Sequence, residues 1–95
     1  EMVTFRANAG VTAIQLRDAA ASINGWVAAQ PGFRSRSLVG PDADGVWTDV
    51  VRWESLELAR AAAENILALP EAGAFMAAID PSSVTMKHVP IAVSL

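Results

Sequence analysis

Val46-Trp47-Thr48-Asp49-Val50-Val51-Arg52-Trp53-Glu54-Ser55 is the stretch from which the fold can be read. A strand sends alternate side chains to opposite faces, so Trp47, Asp49, Val51 and Trp53 share one side and Val46, Thr48, Val50 and Arg52 the other. Valine, threonine and tryptophan suit a pleated surface. Both sides are largely apolar, which predicts a central strand covered on both faces. Asp49 is the exception. A carboxylate between two tryptophans on a covered face is costly unless it is paired or hydrogen-bonded. Two readings stay open: a structural salt bridge or amide cap, and a ligand-facing acid in a pocket. Ser55 then has the chemistry of an N-cap.

Working upstream, Phe33, Ser35, Ser37 and Val39 alternate with Arg34, Arg36 and Leu38, which predicts a strand over residues 33–39. Gly40-Pro41-Asp42-Ala43-Asp44-Gly45 is an acidic turn by composition. A hairpin closing from Val39 to Val46 sets Leu38 opposite Trp47 and Arg36 opposite Asp49, and opposed residues share a face. Arg36 is thus a candidate partner for Asp49. A slip of one residue would instead bring Ser35 or Ser37 beside Asp49 and turn Arg36 away.

Further upstream, residues 2–7 alternate as a first strand that Asn8-Ala9-Gly10 breaks. Thr12 and Gln15 have capping-box spacing. Leu16, Ala19, Ala20, Ile23, Trp26 and Val27 then recur at helical spacing up to Pro31-Gly32. Gly25 inside this run suggests a close approach of helix to sheet. Trp26 reads as core at the end of the stripe.

Downstream of Ser55, Leu58, Ala59, Ala62, Ala63, Ile66 and Leu67 form the buried stripe of a second helix. Glu54, Glu57, Arg60 and Glu64 form its wet side. Pro70 interrupts, and residues 71–79 continue as a short helix that buries Phe75, Met76 and Ile79. Residues 84–89 read as the last strand, with Pro90 marking an edge position. Residues 91–95 either extend along that edge or reach a partner subunit.

The order β-α-β-β-α-β over a single domain, residues 1–95, predicts an α+β, ferredoxin-like architecture. It is a four-stranded antiparallel sheet of order 4-1-3-2 with two helices on one face. The other sheet face is left bare, and two copies packed face to face would cover it.

Composition agrees with such a partner. Hydrophobic residues make up 53% of the 95, and the mean hydropathy is +0.33. That much apolar area calls for an interface, and a homodimer supplies one. The net charge of −3 argues against nucleic acid and anionic membranes as partners. The chain has no cysteine. Disulfides, thiolate metal sites and cysteine nucleophiles are excluded, and the composition fits a reducing cytoplasm. No apolar run is long enough to span a bilayer, and no signal peptide is seen. The sequence begins at Glu1 rather than methionine, so residues are expected ahead of it.

The pattern resembles the dimeric α/β-barrel superfamily, and within it the antibiotic-biosynthesis-monooxygenase-like proteins. The residues carrying the resemblance are Gly10, Pro31-Gly32-Phe33, Asp49-Val50-Val51-Arg52-Trp53-Glu54-Ser55, and Phe75 and Ile79-Asp80 ahead of Ser83-Val84-Thr85-Met86-Lys87-His88. The resemblance implies a homodimer whose sheets pair face to face in a barrel. Each subunit would keep a pocket between its sheet and helices for a small apolar or aromatic molecule. It implies chemistry without a cofactor and with no metal. The monooxygenase members line this pocket with an Asn and a Trp at positions matched by Asp49 and Trp53. An ionised Asp accepts hydrogen bonds but does not donate them. The tyrosine that some members use has no counterpart, because this chain has none. Ala63 stands where the haem-degrading members carry a histidine, so haem degradation is not implied.

Among polar candidates, His88 is the only histidine. If it faces the helices it can join Asp49 and Arg36 in one cleft, where an acid beside it would hold the imidazole in one tautomer suited to a general base. No nucleophile motif, metal-ligand spacing or glycine-rich phosphate loop is present. Two hypotheses result. In the first, the protein is a cofactor-independent monooxygenase-like enzyme with Asp49 and His88 catalytic and with Arg36, Trp47, Trp53 and Phe75 binding the ligand. In the second, it is a non-catalytic dimeric domain that binds a small ligand or is structural. Convergence of Asp49 and His88 in one pocket would favour the first.

Overall fold

A computed structural model describes residues 1–95. The strands are β1 (Met2–Arg6), β2 (Phe33–Val39), β3 (Val46–Trp53) and β4 (Thr85–Lys87). The helices are α1 (Ala13–Ala21), α2 (Asn24–Ala28), α3 (Leu56–Ile66) and α4 (Gly73–Ala78). The sheet is antiparallel in the order β2-β3-β1-β4. β3 is central, as its two apolar parities require.

The helix starts follow local chemistry. The Thr12 hydroxyl accepts from the Gln15 amide at 3.1 Å, and the Gln15 Oε1 accepts from the Thr12 amide at 2.9 Å. This reciprocal box opens α1. Ser55 caps α3 by accepting from the Leu58 amide at 3.2 Å. The first helical run is not continuous, however. It breaks at Ser22-Ile23, where the Ser22 hydroxyl bonds back to the Ala19 carbonyl at 2.6 Å and competes with the helical ladder. Gly25 marks no close approach either, because a side chain there would meet nothing within 4 Å.

Gly32 is the glycine that matters for packing. Its φ is +81°, and an added Cβ would come within 3.1 Å of the Leu58 Cβ. Its carbonyl accepts from the Glu54 amide at 2.8 Å. The start of β2 is thereby fastened to the β3–α3 junction.

The core lies between one sheet face and the helices. Phe5, Trp47 and Val51 from the sheet meet Leu16, Ala20, Ile23, Val27, Phe75 and Ile79. Phe5 and Phe75 meet edge to face with centroids 5.8 Å apart, a geometry the ring quadrupoles favour. Leu67 and Met76 stay outside it, at 78% and 41% exposure, against the sequence expectation. α3 ends at Ile66, and the chain turns at Leu67 ahead of the Pro70–Ala72 3-10 turn. Met76 follows Phe75 on a six-residue helix and points away from it.

The residues that alternate with the core-facing ones are Met2, Thr4, Thr48, Val50, Ser37 and Val39, and none belongs to the core cluster. β4 is shorter than residues 84–89, and the chain beyond Lys87 runs on without regular structure. No helix is long and apolar enough to cross a membrane.

Candidate functional site

The β2–β3 hairpin is two residues out of step with the expected register. Leu38 opposes Asp49, Val39 opposes Thr48 and Arg36 opposes Val51. The acidic turn is responsible. The Asp42 Oδ1 accepts from the amides of Asp44 and Val46, each at 2.9 Å, and the Asp42 amide donates to the Val46 carbonyl at 3.0 Å. These bonds close the turn on Asp42 and lengthen it. A two-residue shift preserves parity, so Arg36 still shares a face with Asp49, diagonally across the ladder.

Arg36 reaches that carboxylate with two nitrogens. Its Nε lies 3.0 and 3.2 Å from the two oxygens, and its NH2 lies 2.7 Å from Oδ2. Its NH1 donates to the Ala20 carbonyl at 2.7 Å and to the Asn24 side-chain oxygen at 2.9 Å. The guanidinium also sits 5.6 Å from the centre of the Phe75 ring. Both side chains are about nine-tenths buried. Both carboxylate oxygens of Asp49 are therefore engaged by Arg36.

His88 is elsewhere on the same face. The β1–β4 register pairs Met2 with Lys87, so His88 falls opposite Glu1. The His88 Nε2 lies 2.8 Å from the Glu1 Oε2, with side chains 21% and 11% exposed. Glu1 is itself held in the sheet. Its backbone nitrogen donates to the Val51 carbonyl at 2.8 Å, and its carbonyl accepts from the Val51 amide at 2.9 Å. One row across the sheet thus reads His88, Glu1, Val51, Arg36, and the next reads Met86, Val3, Asp49, Leu38. His88 and Asp49 are separated by a row and by two strand spacings, about 10 Å across the sheet. The structure does not bring them together. The Arg36–Asp49 ion pair and the His88–Glu1 contact stand on either side of Val51.

A cleft of about 670 Å³ opens at the end of β3. Val50–Trp53 of β3, the Glu54-Ser55 junction, and Leu56 and Ala59 of α3 form one side. Glu1, Met2 and the tail residues His88, Val89, Pro90 and Ile91 form the other. Its walls are mainly apolar, and Glu1, Arg52, Glu54 and His88 carry its charge. The tail is tied back by a hydrogen bond between the Arg52 guanidinium and the Ser94 hydroxyl.

Of the residues singled out in the sequence, Trp53 and His88 line this cleft. Trp47 and Phe75 are buried in the core cluster, at 4% and 5% exposure. Asp49 and Arg36 lie outside the cleft; only Arg36 reaches a second, shallower hollow of about 210 Å³ beside Arg17 and Asn24. Trp53 meets Phe33 edge to face at 5.9 Å, and its indole Nε1 is buried without a hydrogen-bond partner. Such an orphaned donor costs about 1–3 kcal/mol. Glu1 and Ile91 also line the cleft and were not singled out in the sequence. Glu1 carried no local signal, because its partner lies at the opposite end of the chain. No three His, Asp or Glu side chains group as a metal-holding set.

The architecture matches solved structures. SnoaB, a cofactor-independent oxygenase from Streptomyces nogalater, is 19% identical, with 97% of this chain and 94% of that chain covered and a TM-score of 0.68. An asparagine-to-alanine mutant of the same enzyme matches at 20% identity, the same coverage and a TM-score of 0.66. No family model and no curated protein matches the sequence. The chain shares the α+β, ferredoxin-like fold of that oxygenase, as its order of elements implied.

Proposed function

We propose that the protein is a cofactor-independent, monooxygenase-like enzyme that takes a small apolar or aromatic molecule into the cleft at the end of β3. The observation that carries this reading is the cleft itself. It combines mainly apolar walls, including Trp53, with a histidine, on a fold shared with a cofactor-independent oxygenase.

The chemistry asks little of a protein. An electron-rich substrate with an acidic C–H or O–H loses a proton, and the resulting carbanion or phenolate reduces O₂ directly. A C–O bond forms to give a hydroperoxide at a CH carbon. Loss of water from that carbon leaves a carbonyl, so one oxygen atom enters the product and the other leaves as water. The protein's part is to bind the substrate, accept its proton and keep bulk water away.

We also infer a homodimer through the uncovered sheet face. Met2, Thr4, Ser37, Val39, Thr48 and Val50 make that face uncharged at its centre, and Met2 and Val39 are 40% and 52% exposed. A second copy is the partner this self-complementary surface fits.

One observation favours a second reading, in which the domain binds a ligand without chemistry: Asp49 is saturated by Arg36 and supplies no reactive group. A thermal-shift screen of phenols and hydroquinones, followed by O₂ uptake on each hit, separates the two. Binding with uptake supports the enzyme, binding without uptake supports the ligand-binding domain, and no binding removes both. Ile91→Trp, which fills the cleft, is expected to abolish the shift.

A further inference from the structure

The carboxylate that meets His88 is Glu1, and both residues line the cleft just beyond the paired ends of β1 and β4. We propose that Glu1 and His88 form the proton-accepting dyad of this site. In it the His88 Nδ1 takes the proton of an acidic hydroxyl on the substrate, and Glu1 is the positioning residue. This assignment rests on the cleft's being the ligand site.

The geometry leads there in three steps. First, the 2.8 Å contact engages the His88 Nε2. Ionised Glu1 can only accept, so in the neutral ring Nε2 carries the hydrogen and Nδ1 is the open basic nitrogen. Second, Glu1 cannot drift. Its backbone is paired with Val51 through two hydrogen bonds of 2.8 and 2.9 Å, and its side chain is 11% exposed. A fixed carboxylate behind an imidazole stabilises the imidazolium formed when Nδ1 accepts a proton. Third, His88 is not sealed in. Its side chain keeps 21% exposure and belongs to the cleft wall together with Trp53 and Ile91.

The proton balance is simple. The substrate O–H bond breaks, its proton moves to Nδ1, and the electron pair stays on oxygen as a phenolate or enolate. The Nε2 proton remains shared with Glu1. The other charged groups of the cleft are Arg52 and Glu54. Arg52 is engaged by Ser94.

The chain has one histidine, so ¹⁵N-histidine labelling reports on His88 alone. The probe is 4-nitrophenol at about pH 8, where a free imidazole is neutral and the free probe is the yellow phenolate. The free protein is expected to show the Nε2–H tautomer. On binding, the probe is expected to stay yellow while both ring nitrogens of His88 become protonated, which is the state after proton transfer. Glu1→Gln keeps the side-chain shape and the backbone pairing. It is expected to lower the affinity for the phenolate about tenfold and to reduce the imidazolium fraction. An Nδ1–H tautomer in the free protein overturns the assignment. Binding that leaves His88 neutral overturns it too, and leaves the cleft standing as a ligand site. Failure of the probe to quench tryptophan fluorescence or to shift the melting temperature removes the cleft reading and the dyad together.

Discussion

Arg36 lies diagonally across the β2–β3 ladder from Asp49 and takes both of its carboxylate oxygens, at 3.0 Å from Nε and 2.7 Å from NH2. The same guanidinium closes the gap between α1 and α2 by holding the Ala20 carbonyl and Asn24. One side chain therefore ties the sheet to two helices, and the acid it needs is buried at 6% exposure.

Removing the acid strands the arginine. Asp49→Ala is expected to lower stability by about 3–5 kcal/mol, because an unpaired charge remains buried. Replacing both partners together, Asp49→Leu with Arg36→Met, is expected to cost much less. Urea denaturation of the single and double variants checks the difference, and equal losses would show that the pair does not act as a unit.

At Gly32, φ of +81° and the nearby Leu58 side chain both oppose a β-carbon. Gly32→Ala is expected to destabilise by about 1–3 kcal/mol, the range for a residue forced into a sparsely populated backbone region. Gly25→Ala, in open space, is expected to be neutral or slightly stabilising. Thermal unfolding of the two variants gives opposite signs if the packing is as described.

The sheet face carrying Val50 is expected to join two copies. Sedimentation velocity should find a dimer at micromolar concentration, and Val39→Glu should yield a folded monomer, since it sets a charge on the exposed sheet face of each copy. A wild-type monomer would contradict the interface.

The arrangement of strands was legible because β3 is apolar on both parities, which leaves only a central position for it. The starts of α1 and α3 were legible because Thr12, Gln15 and Ser55 act within one turn of themselves. The hairpin register was not. It depends on the Asp42 side chain holding two amides across the turn, and nothing in the alternation of residues 33–39 reports that. The break at Ser22-Ile23 hides inside an unbroken apolar stripe. The lining of the cleft was half legible. Trp53 and His88 stand in the cleft, but Asp49 drew attention because a buried acid looks the same in sequence whether it serves a ligand or an arginine. Glu1 drew none, because its relation to His88 exists only once β1 lies between β3 and β4.

The central claim is that the cleft at the end of β3 supports oxygenation without a cofactor. Chelator-treated protein is mixed with a hydroquinone or related phenol that binds it, under ¹⁸O₂, and the product is weighed by mass spectrometry. The account predicts O₂ uptake with one ¹⁸O atom in each product molecule, absent in Ile91→Trp and reduced in His88→Gln. Tight binding of such ligands with no oxygen uptake, or uptake that Ile91→Trp leaves unchanged, would contradict it.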